Sequence, residues 1–276
     1  MSKMDEFKEY LKDTHKCKTL DSLQKKFDEI ALHFIKYGVI VAQETNEFFP
    51  TEIEIYFNDQ IIHNDIYTHG CPELPKQLEF GSWYLHRYHR GDITKRFTNK
   101  LDGIDVTFGN KEEDIEKEGE KKIYAGILIR SIKKKTNKGE NPLEIEGPNN
   151  SFQELFGFRD DNDKKKKRSG VFFKEEKYNL EKLFEPIEIK ETAFTKNSII
   201  YIKFSEDTDS SHKLNEPICK ARRKLGKARK EDTNRFYHKQ RYRYFSIEPK
   251  DNKPQDCRLL EGTADKTDCT KCCVRD

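Results

Sequence analysis

The strongest constraint on the fold is a segment in which acidic and apolar residues alternate. Residues 51–57 read TEIEIYF, and the acids Glu52 and Glu54 are separated by one apolar residue. Strict alternation is typical of a β-strand that has one apolar face and one polar face. On such a strand Glu54 and Tyr56 lie on the same face, so a carboxylate is placed beside an aromatic ring.

Several other segments have the composition of strands. They are rich in β-branched and aromatic residues, and they lie at 38–42, 103–108, 123–132, 170–173, 199–204 and 241–247. Such residues pack well on a pleated, half-buried surface. Because three of these segments and the alternating segment at 51–57 precede residue 133, we expect one sheet to dominate the chain.

Helices are predicted at two places. Apolar residues recur at helical spacing from Leu23 to Ile35, and either Asp21 or Ser22 can cap the start. Pro148 is followed by a short apolar stripe and opens a second, shorter helix. Together with the strands, this predicts a mixed α/β (α+β) fold with a curved, largely antiparallel sheet flanked by helices.

Length and composition set the organisation of the chain. With 276 residues and 34% hydrophobic content, it can bury one sizeable core or two smaller ones, and we favour one main domain. We expect a helical segment at 1–36 packed on that core, a single mixed α/β domain with charged insertions at 37–248, and a cysteine-containing tail at 249–276. No apolar run reaches the roughly 18 residues of a membrane span, and the N-terminus lacks the apolar stretch of a signal peptide. We therefore expect an intracellular, cytoplasmic protein with no membrane partner, associated with the nucleoid if it binds DNA. We also expect a monomer.

Positive charge is concentrated in residues 219–243, named here the basic segment. It holds 11 Lys or Arg residues against Glu231 and Asp232, although the net charge of the whole chain is only +3. Interleaved basic and aromatic residues favour contact with a nucleic acid, and such contact would weaken with salt. The candidate contacts are Arg222, Arg223, Lys224, Arg229 and Arg241. The alternative is a solvated charged loop.

No metal or cofactor is expected. The seven cysteines are an odd number, which favours reduced thiols over a disulfide framework. The tail carries a C-x-x-C pair with neighbouring cysteines, so structural zinc is the alternative to a reducible tail; the four thiols are Cys257, Cys269, Cys272 and Cys273. The histidines at 63, 69, 86 and 89 lack the spacing of a helical metal site, and the glycine-rich nucleotide motifs are absent.

The order of these motifs resembles that of the alkyladenine (3-methyladenine) DNA glycosylase family. The family's E-T-E-A-Y segment and its D-x-x-x-H type ending match residues 52–56 and 65–69. Its glycine-led strand, its apolar strand ending in arginine and its Gly-Pro helix start match 103–108, 126–130 and 147–148. The resemblance covers residues 37–157.

The resemblance implies a function and roles for particular residues. Glu54 would be the general base that activates water, Tyr56 and His69 would stack on a flipped base, and Arg130 would contact a phosphate or a strand end. The implied reaction is cofactor-free hydrolysis of the N-glycosidic bond of a damaged or modified purine, as in DNA repair. The partner would be DNA, with RNA or a nucleotide as alternatives.

Two other classes stay open. The first is a non-catalytic module that binds a nucleic acid or nucleotide on the same scaffold, and the second is a charged protein-interaction domain. A Glu54 side chain buried behind packing, or displayed on an open face, would favour these classes, because a catalytic carboxylate has to meet its substrate.

Overall fold

The computed structural model of the protein describes residues 1–43, 45–59, 61–65, 68, 75–87, 101–110, 122–136, 143–156, 193–194, 200–205, 218–220 and 242–246. Several sequence predictions lie outside these residues. They are the strand at 170–173, the tail at 249–276, and the candidate side chains His69, Arg222, Arg223, Lys224, Arg229 and Arg241.

Two helices open the chain, α1 at Lys3–Asp13 and α2 at Leu20–Tyr37. The predicted cap of α2 at Asp21 or Ser22 is wrong, because the N-cap is Thr19. The Thr19 side chain accepts the backbone N–H of Ser22, and the Ser22 hydroxyl oxygen accepts the backbone N–H of Thr19. Each of these bonds satisfies a backbone N–H that has no partner within the helix. The capping box therefore favours a helix that begins at Leu20.

The described residues also form one nine-stranded sheet in which all pairings are antiparallel. The strands are β1 (Gly38–Ala42), β2 (Asn46–Asn58), β3 (Phe80–Arg87), β4 (Leu101–Phe108), β5 (Tyr124–Lys134), β6 (Glu144–Glu146), β7 (Ile200–Phe204), β8 (Ile218–Lys220) and β9 (Arg243–Phe245). Their main order is β3-β4-β5-β2-β1-β7, with β6 beside β5, β9 beside β2, and β8 beside β9. A third helix, α3 (Pro148–Leu155), follows β6. The mixed α/β class with a curled, antiparallel sheet is therefore confirmed.

The sheet curls until its two end strands meet. The Trp83 indole N–H on β3 donates to the carbonyl of Ile200 on β7, with 2.7 Å between the atoms. Ala193 joins the same two strands, because its N–H donates to the carbonyl of Gly81 and its carbonyl accepts the N–H of Ile202. These bonds protect strand edges that would otherwise expose backbone groups to pairing with other chains.

The apolar face of the sheet packs on the N-terminal helices. On β2, Ile53, Ile55 and Phe57 are each at most 1% exposed. They share one core with Phe27 of α2 and Phe7 of α1. The Phe27 and Phe57 rings meet edge to face at 5.8 Å. Since side chains alternate along a strand, the intervening acids and Tyr56 of β2 are turned to the opposite face.

None of the described helices combines the length and the apolar character needed to cross a bilayer.

The closure of the sheet by Trp83 gives a first prediction. Trp83→Phe keeps an aromatic ring in the core but leaves the buried carbonyl of Ile200 without its indole donor, so we expect a loss of about 1 to 3 kcal/mol in the free energy of unfolding. The measurement is urea unfolding followed by circular dichroism. Tyr201→Phe on the same end strand is the matched control and should change stability by less than about 0.5 kcal/mol. Equal stability of the two variants would contradict the closing role of the indole.

Candidate active site

The candidate site is built around an irregularity in β2. The first part of β2 pairs with β1, whereas residues 52–54 pair with β9. Pro50 lies between these two parts and has no N–H to donate. The register with β5 shifts on both sides of Glu52. Such a bulge re-aims side chains, and here two consecutive residues of β5, Arg130 and Ser131, both reach Glu52.

Four side chains on this face form the charged cluster, which comprises Glu52, Glu54, Arg130 and Arg243. Arg130 Nη1 donates to Glu54 Oε2 at 2.6 Å, and Arg130 Nε donates to Glu52 Oε1 at 3.0 Å. Arg243 Nε donates to the same Glu52 oxygen from β9. Ser131 Oγ donates to the other Glu52 oxygen at 2.9 Å.

The charged cluster is largely buried and balanced in charge, and its most exposed member is Glu52, whose side chain is 15% exposed. Glu54 is 1% exposed, Arg130 5% and Arg243 8%. Burial alone raises the pKa of Glu52, but the charges of Arg130 and Arg243 outweigh this effect and hold that pKa below its ordinary value. Burial alone likewise lowers the pKa of Arg130, but the carboxylates of Glu54 and Glu52 raise it above its ordinary value. Two carboxylates thus face two guanidinium groups, and removal of any one leaves a buried charge without balance.

Beside the charged cluster lies a second polar pair. Gln77, from the 3-10 turn Pro75–Leu78, donates through its side-chain amide to Asp105 Oδ2 on β4 at 2.9 Å. Both side chains are fully buried. A Cβ at Gly126 would lie 2.9 Å from Asp105 Oδ2 and 3.1 Å from Gln77 Nε2, so the glycine leaves room for this pair. Gly126 is in register with Tyr56, which is itself 6% exposed.

These groups follow one row across the sheet. Asp105 is paired with Leu128, Leu128 with Glu54, and Glu54 with Arg243. Paired residues of antiparallel strands share a face. The carboxylates of Asp105 and Glu54 are therefore two strands apart, a separation of about 10 Å. Asp105 was not predicted as a site residue, although an acid inside the apolar run GIDVTF was the available signal.

Helix α3 supports the site from the end of β6. The backbone N–H of Gly147 donates to Ser131 Oγ at 3.3 Å, and Ser151 Oγ donates to the carbonyl of Arg130 at 3.2 Å. Gly147 has a φ of 92°, a conformation that favours glycine, and Pro148 follows at the first helical position. The Gly-Pro start thus positions the β5 residues that contact Glu52.

Both ends of the basic segment lie at the same place in the sheet. In β8 and β9, Cys219 is paired with Tyr244 and Lys220 with Arg243. The Tyr244 hydroxyl donates to Asp28 of α2 at 2.8 Å and accepts from Gln24 at 2.7 Å. The two ends of the basic segment are therefore paired neighbours in the sheet, and Arg243 at one of them belongs to the charged cluster.

The predicted site residues divide into two groups. The structure brings Glu54, Tyr56 and Arg130 together on one face of adjacent strands. The second stacking residue, His69, and the five predicted contacts of the basic segment lie outside the described residues. Glu52 and Arg243 were not predicted as site residues, and their contact joins positions 191 residues apart in the chain.

His63, in the segment between residues 58 and 69, packs among aromatic rings. His63 stacks near Phe57 at 6.4 Å and meets Tyr242 edge to face at 5.2 Å. Asp59 Oδ1 accepts three backbone N–H groups, from Ile61, Ile62 and His63, and so shapes this turn. Within the described part of the chain, His, Cys, Asp and Glu side chains form no group of three that could hold a metal ion.

Comparison with known proteins identifies a partial relative of the chain. No protein family profile matches the chain. Over 107 residues it is 37% identical to a protein of Acanthamoeba polyphaga mimivirus named uncharacterized protein L759. The matched part is 38% of this chain and 44% of the viral protein, so the match spans under half the length of that relative.

The lowered pKa of Glu52 gives a prediction for stability. Because that pKa lies below the ordinary 4.5, the contribution of Glu52 to folding is complete above about pH 4.5 and is lost as the pH falls through the lowered value. Glu52→Gln should cost about 3 to 5 kcal/mol at neutral pH, since it leaves buried guanidinium charge unbalanced. The difference in unfolding free energy between wild type and variant should shrink below pH 4.5.

Urea unfolding between pH 7 and pH 3 measures this difference. The matched control is Glu9→Gln on the exposed side of α1, whose difference from wild type should stay near zero throughout. A Glu52→Gln difference that does not change with pH would show that the Glu52 charge does not stabilise the fold.

Proposed function

We propose that the protein is an N-glycosidase-like hydrolase, on an alkyladenine-glycosylase-like scaffold, that releases a damaged or modified purine from DNA. The observation that carries this proposal is the Arg130 guanidinium 2.6 Å from Glu54, beside Tyr56 on one face of the sheet. It supports a reaction that needs an ionised carboxylate next to an aromatic wall.

The chemistry requires a carboxylate that stays charged. Water attacks the sugar carbon, the bond from that carbon to the purine breaks, and the purine leaves with the bonding electrons and then takes a proton. Glu54 accepts the proton of the attacking water and stabilises positive charge that develops on the sugar. Arg130 places a positive charge 2.6 Å from the Glu54 carboxylate and so balances its charge at this buried position.

Tyr56 would supply one wall of the base site. It lies two residues beyond Glu54 on the same strand, and its ring is buried. An extruded base stacks on aromatic faces while its edge is read by polar groups. His69 is the proposed second wall.

DNA is the proposed partner, and the basic segment is its proposed docking element. Its two ends are paired with each other in β8 and β9, beside the strand that carries Glu54. The basic residues between them, Arg222, Arg223, Lys224, Arg229 and Arg241, would contact phosphates. RNA or a nucleotide is the alternative ligand.

A second candidate function has its own support. Glu54 is 1% exposed and one of its oxygens accepts from Arg130, as in an ion pair that only holds strands together. This burial favours a non-catalytic module that binds a nucleic acid or nucleotide. The two functions agree on the ligand and differ on whether Glu54 acts as a base.

Base excision separates the two candidates. Purified wild type should generate alkali-sensitive sites in labelled duplexes that carry alkylated or deaminated purines, and Glu54→Gln should lower the single-turnover rate by about 10²- to 10⁴-fold, because the amide cannot accept the proton. Glu9→Gln is the control and should cleave like the wild type. Absence of cleavage by the wild type, or full cleavage by Glu54→Gln, would reject the proposed reaction.

Binding is predicted to depend on the basic segment and on salt. Replacement of Arg222, Arg223 and Lys224 by alanine should weaken binding of the same duplex and reduce the slope of log affinity against log salt by about 0.9 per lost phosphate contact. Fluorescence anisotropy between 50 and 200 mM salt measures both quantities. Alanine at the exposed lysines Lys16, Lys18 and Lys25 is the matched control.

Binding without excision would leave the non-catalytic module as the function. Failure of the wild type to bind duplex DNA, single-stranded RNA and nucleotides would reject both candidates.

A further inference from the structure

We infer that Arg243 and Glu52 are positioning residues that act on Glu54 through Arg130. The four side chains form a chain of alternating charge, in the order Arg243, Glu52, Arg130 and Glu54. The inference rests on the proposed function, because it assigns roles around the proposed base. It adds two residues that lie outside direct contact with the reacting atoms.

The first link fixes the orientation of Arg130. A guanidinium group is planar, and its donors leave in fixed directions. Arg130 donates through Nε to Glu52 and through Nη1 to Glu54, so the two carboxylates are held by two edges of one rigid plane. The position of Glu52 therefore determines where Arg130 presents its Nη1 donor to Glu54.

The second link fixes Glu52 itself. One carboxylate oxygen accepts from Arg130 and Arg243, and the other accepts from Ser131. Ser131 in turn accepts the backbone N–H of Gly147 at the start of α3. Glu52 is thus held by residues of β5 and β9 and, through Ser131, by the start of α3. It lies between the two register shifts of the bulge in β2.

The third link fixes Arg243, although β9 is only three residues long. On one side of Arg243 the carbonyl of Tyr242 accepts the N–H of Ile55 at 2.8 Å, and on the other the N–H of Ser246 donates to Thr51 at 2.8 Å. The hydroxyl of Tyr244 fastens the strand to α2 through Asp28 and Gln24. The last residue of the basic segment is therefore linked to Glu54 through three successive ion pairs, and it is also the cross-strand neighbour of Glu54.

Charge balance makes this chain testable. Loss of Arg243 leaves the buried Glu54 and the partly buried Glu52 opposite one guanidinium, so the charged cluster takes up a proton at a higher pH. Among the described residues, strand register also places the titratable side chains of Tyr56, Tyr84, Asp105 and Glu146 on this face. Removal of Glu52 together with Arg243 restores the balance and leaves the pair of Arg130 and Glu54.

The test compares Arg243→Met, Arg243→Lys and the double variant Arg243→Met with Glu52→Gln. The readouts are the pH profile of single-turnover base excision and the hydrogen exchange of Arg130 Nε–H by nitrogen-15 NMR, with the signal assigned by its loss in Arg130→Lys. Arg243→Met should move the acid limb of the profile upward by about one pH unit. It should also speed the exchange by about tenfold, because the ion pair to Glu52 is weakened.

The other variants separate positioning from mere support of the fold. In the double variant, the midpoint of the acid limb should lie within about 0.3 pH units of the wild-type midpoint. In Arg243→Lys the midpoint should stay at the wild-type pH, because lysine keeps the positive charge. Lys26→Met on α2 removes a positive charge elsewhere and should change neither readout. Unchanged limb and exchange in Arg243→Met, or a limb in the double variant or in Arg243→Lys that moves as far as in Arg243→Met, would overturn the inference.

The two proposals fail in different ways. If the wild type excises no base, the proposed reaction is rejected, and the exchange of Arg130 Nε–H still decides whether Arg243 controls the orientation of Arg130. If Arg243→Met does not fold, Arg243→Lys and the double variant decide the inference through the same two measurements.

Discussion

The guanidinium group of Arg130 cannot give up its proton, so its burial obliges the surrounding strands to supply negative charge within contact distance. Glu52 and Glu54 meet this requirement from β2. The bulge after Pro50 brings Glu52 into reach, β9 adds Arg243 to balance the second carboxylate, and the start of α3 holds Ser131 in place. The irregular features of the sheet around residue 52 can all be understood as ways of satisfying one buried cation.

Strand β2 serves two purposes because its side chains alternate. Ile53, Ile55 and Phe57 contribute to the core under the helices, while the residues between them carry the charged cluster and Tyr56. Packing on one face restricts the motion of the backbone, and this restriction is passed to the polar side chains on the other. A site built on paired strands keeps its geometry more closely than one built on loops. This rigidity suits either catalysis or recognition.

The sequence predicted those parts of the fold that depend on local pattern. Strands β1, β4, β5 and β7 and helix α2 were predicted to within a few residues, because alternation or helical spacing is visible in each. Strand β3, FGSWYLHR, was missed because it has no regular alternation, and β6 and β8 are only three residues long. Of the candidate site, Glu54 was predicted from its place in an alternating strand together with the resemblance to the alkyladenine DNA glycosylases. The contact of Glu52 with Arg243 could not be, because nothing local marks two residues that meet only after the sheet has formed.

The position of β9 in the chain has a consequence for synthesis on the ribosome. Strand β2 is made early, yet the neighbour that covers residues 52–54 and supplies Arg243 is the last of the described strands. Until about 190 further residues have emerged, one edge of β2 carries backbone groups without their final partner, and Glu52 lacks one of its two arginines. Exposed strand edges are prone to pair with other chains. The nascent chain therefore passes through a long interval in which this edge has to be shielded, and the acidic side chains beside it are suited to discourage such pairing.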